Sequence, residues 1–254
     1  AAELVRAVRA KQANAFVIHG SIADLVPMRS PPGLRFLSLE TVLTQELFAG
    51  WPSILTYNRA EGLGFATPDA RSHFEDKLRA YDAVHGSTFA ASALPRDPAN
   101  CCALLDSYFR RSAALQPARP VVLLLPYAET VLPATDASSR SPEDRTVLVY
   151  LRKWAQDPVL LAKNIVIVLV TENLADLDPQ FLRSSATREL EILRPDSAER
   201  RTYLEVVRDG AWYARMSELD SIRLAEGTAG LTRVQIGQIL DGADANGERL
   251  TRDA

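Results

Sequence analysis

Lysine is nearly absent from this chain. Of 29 basic residues only Lys11, Lys77, Lys153 and Lys163 are lysines, so none stands between positions 11 and 77. Cysteine is scarcer still, and the two present, Cys101 and Cys102, are neighbours. Adjacent cysteines rarely meet disulfide geometry, which speaks against a disulfide scaffold and for a reducing compartment. The histidines His19, His73 and His85 share no metal-ligand spacing, and no G-x-S-x-G elbow occurs, which argues against a metal centre and an acyl-transfer site. No apolar run approaches the length of a membrane span and no signal peptide is recognisable, so the expectation is a cytoplasmic protein without membrane contact. A net charge of −3 carries no excess of positive groups for phosphates, so nucleic acid is not expected as a partner. The first residue is not Met and lies in a helical pattern, as in a piece excised from a longer protein.

What is present is organised around positions 120–195. Val121–Leu125 and Ile165–Val170 are unbroken runs of aliphatic and β-branched residues, too short for buried helices. Such runs are typical of strands covered on both faces of a parallel sheet. Ser53–Tyr57 reads as strand one, Ser87–Ala91 as strand two, the two runs as strands three and four, and Glu189–Leu193 as strand five. Helices are predicted between them, with Pro68 and Asp97–Pro98 as starts. The fold class is therefore α/β: a five-stranded, doubly wound parallel sheet, followed by a small all-helical domain.

Residues 1–50 read as an N-terminal extension, in which Ala15–His19 is a candidate added strand and Ser38–Ala49 an amphipathic helix. Residues 51–195 form the α/β domain and 196–245 a helical domain, with 246–254 a polar tail. Helices are predicted over Ser197–Arg208, Glu218–Glu226 and Leu231–Asp241, the last with Leu231, Val234 and Ile239 facing inward.

One stretch is more specific. Leu177–Asp178–Pro179 and Phe181–Leu182–Arg183 are followed by the alternating Arg188–Leu193, then by Pro195–Asp196 and Glu199–Arg200. Together with Gly230–Leu231–Thr232, these residues resemble the passage of the AAA+ ATPase module from its sensor strand into its helical lid. The resemblance spans 51 to about 242 and is most specific over 164–204. It implies a P-loop NTPase-like fold and an ATP site at the carboxyl ends of the strands.

The chemistry of that site is incomplete. Phosphate binding in such a module needs a G-x-x-x-x-G-K-[ST] loop, and none occurs. The loop after predicted strand one offers only Arg59, Gly62, Gly64 and Thr67. After strand three, Pro126 and Tyr127 stand where the resemblance implies an acidic pair, leaving Glu129 as the candidate catalytic carboxylate. Thr171 and Asn173 match the sensor position, though both also suit a turn cap. Arg188 and Arg183 match arginines that the resemblance implies act on a nucleotide held by a neighbouring subunit.

The expectation is a degenerate AAA+ module, like those in the inactive ring of a tandem machine, which does not hydrolyse ATP. It would serve oligomerisation, scaffolding or regulation, associating with itself or with an adjacent AAA+ module and meeting protein partners through its N-terminal extension. No cofactor is expected, with ATP and Mg²⁺ as the alternative in an atypical hydrolase. A second alternative is an α/β binding domain with another ligand at the strand tips.

Overall fold

The computed structural model describes residues 2–31, 33–89, 94–136 and 138–251. It divides into two compact units, Ala1–Gly20 with Leu43–Glu191, and Ser21–Val42 with Ile192–Ala254. The strands in chain order are β1 (Ala15–Gly20), β2 (Val26–Ser30), β3 (Gly33–Leu37), β4 (Ser53–Asn58), β5 (Gly62–Phe65), β6 (Val121–Pro126), β7 (Ile165–Val170) and β8 (Thr187–Ile192). The helices up to β8 are α1 (Ala2–Arg9), α2 (Leu39–Thr41), α3 (Pro68–His85), α4 (Pro98–Ala114), α5 (Pro142–Ala155), α6 (Pro158–Ala162) and α7 (Pro179–Leu182). After β8 come α8 (Ser197–Val207), α9 (Gly210–Met216), α10 (Ser221–Gly227) and α11 (Arg233–Asn246).

The first unit is a six-stranded sheet in the order β5-β4-β6-β7-β1-β8, flanked by helices. β4, β6, β7 and β1 run parallel, and β5 is antiparallel to β4. An α/β sheet followed by helices is thus what forms, but it differs from the expected five parallel strands in two ways. Ala15–Gly20 is not an accessory: it lies between β7 and β8, with Phe16 and Val17 wholly buried and Ile18 at 4% exposure. Its apolar run is simply too short to announce a central strand from sequence. Ser87–Phe89 form no strand, and Ala90 and Ala91 lie outside the described residues. Asp82 instead takes a hydrogen bond from the Ser87 hydroxyl (2.6 Å) and one from the Phe89 amide (3.1 Å), while β5 occupies the edge of β4.

The starts expected at Pro68 and Asp97–Pro98 form, and the same device recurs at three further helices. Thr67, Asp97, Ser141, Asp157 and Asp178 each precede a proline, and each side chain accepts an N–H of the first turn. Proline loses nothing there, since its missing N–H would have had no intrahelical acceptor. Ser38–Ala49, read as one α-helix, is α2 followed by a π-helical stretch, Val42–Leu47, in which the chain keeps Val42 and Leu43 buried.

The second unit is the β2–β3 hairpin with α8–α11. Its core is Tyr203, Leu204, Trp212, Met216, Leu224, Ala225, Ile236 and Leu240, with Leu25 and Phe36 packed against it. Phe36 meets Tyr203 edge-on, centroids 4.9 Å apart. The sequence missed α9, because Gly210 reads as a break. Asp209 caps that helix through the Trp212 amide, which lets a glycine stand at its first position. In α11 the inward stripe is Ile236, Leu240 and Ala243, and Ile239 is 41% exposed. The long Arg233 side chain is buried at the helix start, on the same face as this stripe.

Two glycines of α11 give a matched test. A Cβ at Gly242 meets nothing within 4 Å, whereas one at Gly237 would lie 2.7 Å from the Tyr203 hydroxyl. Gly242→Ala is expected to gain about 0.5–1 kcal/mol from helix propensity. Gly237→Ala is expected to show no gain or a loss, and to recover in a Tyr203→Phe background; chemical denaturation reads both.

Candidate functional site at the carboxyl ends of the strands

Ligands of open α/β sheets bind where successive connections part, beyond the carboxyl ends of the strands. Here that point is the end of β1: β7 lies on one side and β8 on the other, so the connection from β7 to β8 passes β1. Three backbone amides at this end are engaged. The Gly20 amide donates to Glu172 O (3.0 Å), the Ser21 amide to Ile192 O (2.8 Å) and the Thr171 amide to Ile18 O (3.1 Å). Gly20 has φ 92°, a conformation that any side chain would strain. Beyond it the chain turns at Ser21, whose carbonyl accepts from the Asp24 amide (3.0 Å), and runs into the β2–β3 hairpin rather than a helix.

At the end of β7, Thr171 is 1% exposed and donates its hydroxyl to Asn173 O at 3.3 Å. Asn173 caps the 3₁₀ turn Leu174–Asp176, accepting from the Ala175 amide (3.1 Å) and donating to Asp176 Oδ1 (3.3 Å). Both residues are thus occupied in closing a turn.

The end of β6 is less settled. Pro126 ends the strand, and Tyr127 takes a left-handed conformation (φ 55°, ψ 43°) with its side chain out in solvent, 65% exposed. Its carbonyl is held by the amide and hydroxyl of Thr130, at 2.9 and 2.8 Å. Glu129 sits in the 3₁₀ turn Ala128–Thr130, and its Oε2 is buried without a hydrogen-bond partner among the described residues.

The residues predicted to meet phosphate lie elsewhere. β4 is three strands from β1, about 14 Å at ordinary strand spacing. Asn58 and Gly62 close a hairpin in which Asn58 Oδ1 accepts the amides of Ala60 and Glu61, and Gly62 has φ 78°. The hairpin loop is thus the three residues Arg59, Ala60 and Glu61, followed by a left-handed glycine. A Cβ at Gly64 would collide with Thr56 Oγ1 across the ladder. Arg59 pairs with Glu143 (3.3 Å) and Asp144 (3.8 Å) in the first turn of α5, and Thr67 caps α3. A shallow groove of about 440 Å³ runs beside β5, lined by Leu63, Phe65, Thr67 and Arg71.

Arg183 and Arg188 are both exposed, at the end of α7 and on β8, and neither makes an ion pair or side-chain hydrogen bond among the described residues. Asp178, in the Leu-Asp-Pro segment, does have a partner: it forms a buried ion pair with Arg140, side chains 1% and 7% exposed. No local pattern could have announced that pairing, since the partners lie 38 positions apart.

Other reactive groups are closed off. Burial pushes the Cys101 thiol up to about 12 and raises Cys102 too, so neither is a nucleophile at neutral pH. Among the described residues no group of three or more His, Cys, Asp or Glu could hold a metal ion, and no helix is long and apolar enough to cross a membrane. His73 is half-buried, 3.0 Å from the Tyr108 hydroxyl, which in turn meets Ser53 Oγ at 2.8 Å; Arg119 Nε donates to the same Ser53 oxygen. Burial, then the charges of Arg119 and Lys77, lower the His73 pKa below its ordinary 6.5. The unfolded chain therefore takes up this proton first as pH falls. Stability from His73 is complete above about pH 6.5 and is lost below it, towards the lowered folded value. Melting temperature is expected to fall between pH 7 and 5, less steeply in His73→Gln.

A Rossmann-like sheet unit joined in sequence to a helical unit defines the class of protein. The chain belongs to the AAA+ chaperone family: the family model "AAA+ chaperone, N-terminal Rossmann-like domain" matches residues 1–193, and "AAA+ chaperone, second helical domain" matches 198–254. No curated protein matches it. Among solved structures, a chain of the E. coli MS115-1 HORMA:CdnC:Trip13 complex is similar at 20% identity and a TM-score of 0.44. That match covers 55% of this chain and 48% of the other, about half of its length.

Proposed function

We propose that this chain is a non-hydrolysing AAA+ module that acts as an oligomerisation, scaffold or regulatory part of a larger ATP-driven protein-remodelling machine. The observation that carries the reading is the end of β1. The amides of Gly20 and Ser21 are spent on Glu172 and Ile192, and the chain continues into a hairpin without a lysine or a glycine-rich loop. Phosphate binding needs free N–H groups and a cation at that point, so the residues present do not fit ATP with Mg²⁺. Pro126 and Tyr127 at the end of β6 supply no metal carboxylate. Arg183 and Arg188, exposed and without an ion pair among the described residues, suit contact with a neighbouring subunit and supply the self-association part of the reading.

The unpartnered oxygen of Glu129 favours a second reading, an atypical ATP-binding site near β6. Calorimetric titration with ATP and Mg²⁺ separates the two. No binding tighter than about 10 μM, near −7 kcal/mol, is expected; tighter binding that Glu129→Gln abolishes would replace the first reading with the second. Light scattering of the chain, alone and as Arg183→Glu/Arg188→Glu, checks self-association: the substituted chain is expected to be the smaller species.

A further inference from the structure

Asp24 and Arg233 stand 209 positions apart, yet their side chains are 0% and 4% exposed and lie together in the helical unit. Arg233 Nη1 donates to Asp24 Oδ2 at 3.1 Å and to Leu25 O at 3.2 Å. The other carboxylate oxygen, Oδ1, accepts the backbone amide of Val234 at 3.1 Å. Arg233 Nη2 reaches Glu199 at 3.2 Å, its guanidinium lies 5.9 Å from the Phe36 ring centre, and its Nε has no partner among the described residues.

The position of this carboxylate is telling. Val234 is in the first turn of α11, a helix of 14 residues, where unpaired amides and the helix dipole attract an anion. The cap itself is Thr232, which forms its own capping box with Gln235. Asp24 is therefore a second acceptor, brought from the turn after β1 to a place that has both a helix amide and a buried guanidinium.

We propose that Asp24 is a built-in anion: it fills the anion position of α11 and locks the β2–β3 hairpin onto the helices, so that the unit keeps its arrangement without a bound phosphate. A buried pair of this kind is severely weakened by loss of one partner and much less by loss of both, because the single change leaves a charge unpaired. The lock lies within the helical unit and is independent of what binds at the strand tips.

The test is thermal unfolding of the full chain in chloride, acetate and inorganic phosphate at matched ionic strength. Asp24→Ala is expected to melt roughly 10 °C lower than the wild type in chloride. Acetate or phosphate should restore part of the loss, while the wild type is indifferent to the anion. Asp24→Ala/Arg233→Met should melt above Asp24→Ala in chloride and show no restoration. Should Asp24→Ala fail to fold, hydrogen exchange of Asp24→Asn decides: the hairpin amides of Val26–Leu37 are expected to exchange at least tenfold faster, with β6 and β7 unchanged. The proposal is overturned if phosphate stabilises the wild type through Arg233, if Asp24→Ala melts with the wild type or is not restored by either anion, or if the hairpin of Asp24→Asn exchanges at the wild-type rate.

Discussion

A chain that begins at Trp51 is expected not to fold. Such a truncation removes β1, which is registered along Ile167–Val170 and is the strand to which β8 is joined. It also removes Phe16, Val17 and Ile18, each at most 4% exposed. At about 1.5–3 kcal/mol for each fully buried large side chain, these three alone contribute roughly 5–9 kcal/mol. A domain commonly has about 5–15 kcal/mol in total. The second unit loses Leu25 and Phe36 from its core in the same cut. Far-UV circular dichroism and a thermal melt check this, and a cooperative transition in the 51–254 chain would make the first 50 residues an accessory after all. Within the full chain, Phe16→Ala should cost about 3–5 kcal/mol.

Asp178→Ala is expected to be the most damaging single polar substitution in the sheet unit. Arg140 is 9% exposed and the structure pairs it with Asp178, which also accepts the Gln180 amide at 2.8 Å to start α7. Removing the carboxylate leaves a buried guanidinium whose one other acceptor among the described residues is Thr135 O, at 3.4 Å, and strips the cap. A broken buried pair costs about 3–5 kcal/mol and a lost cap about 1 kcal/mol. The double variant Arg140→Met/Asp178→Leu should recover most of the first loss. Urea unfolding of the three variants measures this, and equal stability of single and double variants would mean that the pair is not desolvated as a unit. The same pair, with the Ala134 amide on Asp176 O (2.7 Å) and the Pro133–Leu177 bridge, ties the loop after β6 to the segment before α7. Leu-Asp-Pro thus serves twice, as the cap that starts α7 and as one side of this tie.

How much was legible depended on range. β6 and β7 were legible within a residue, because a strand covered on both faces writes its burial directly into consecutive aliphatic positions. Helix starts at Pro68 and Pro98 were legible for an equally local reason, a side-chain oxygen three residues from the amide it caps. By sequence Ser53–Tyr57 reads as the first strand of the sheet, which puts the candidate phosphate loop directly after it. Nothing between Asn58 and Gly62 distinguishes a hairpin turn from a ligand loop until the pairing partner of β4 is known.

By itself, the sequence determined the class of fold, the family passage from Leu177 to Arg200 and the absence of a lysine loop, since each rests on residues close together in the chain. Only the tertiary structure decided that β1 is central, that the β2–β3 hairpin belongs with the helices, and that Asp178 meets Arg140 and Asp24 meets Arg233. Strand order and buried ion pairs are contacts between distant residues. Their free energy comes from excluding water around groups that no local spacing brings together.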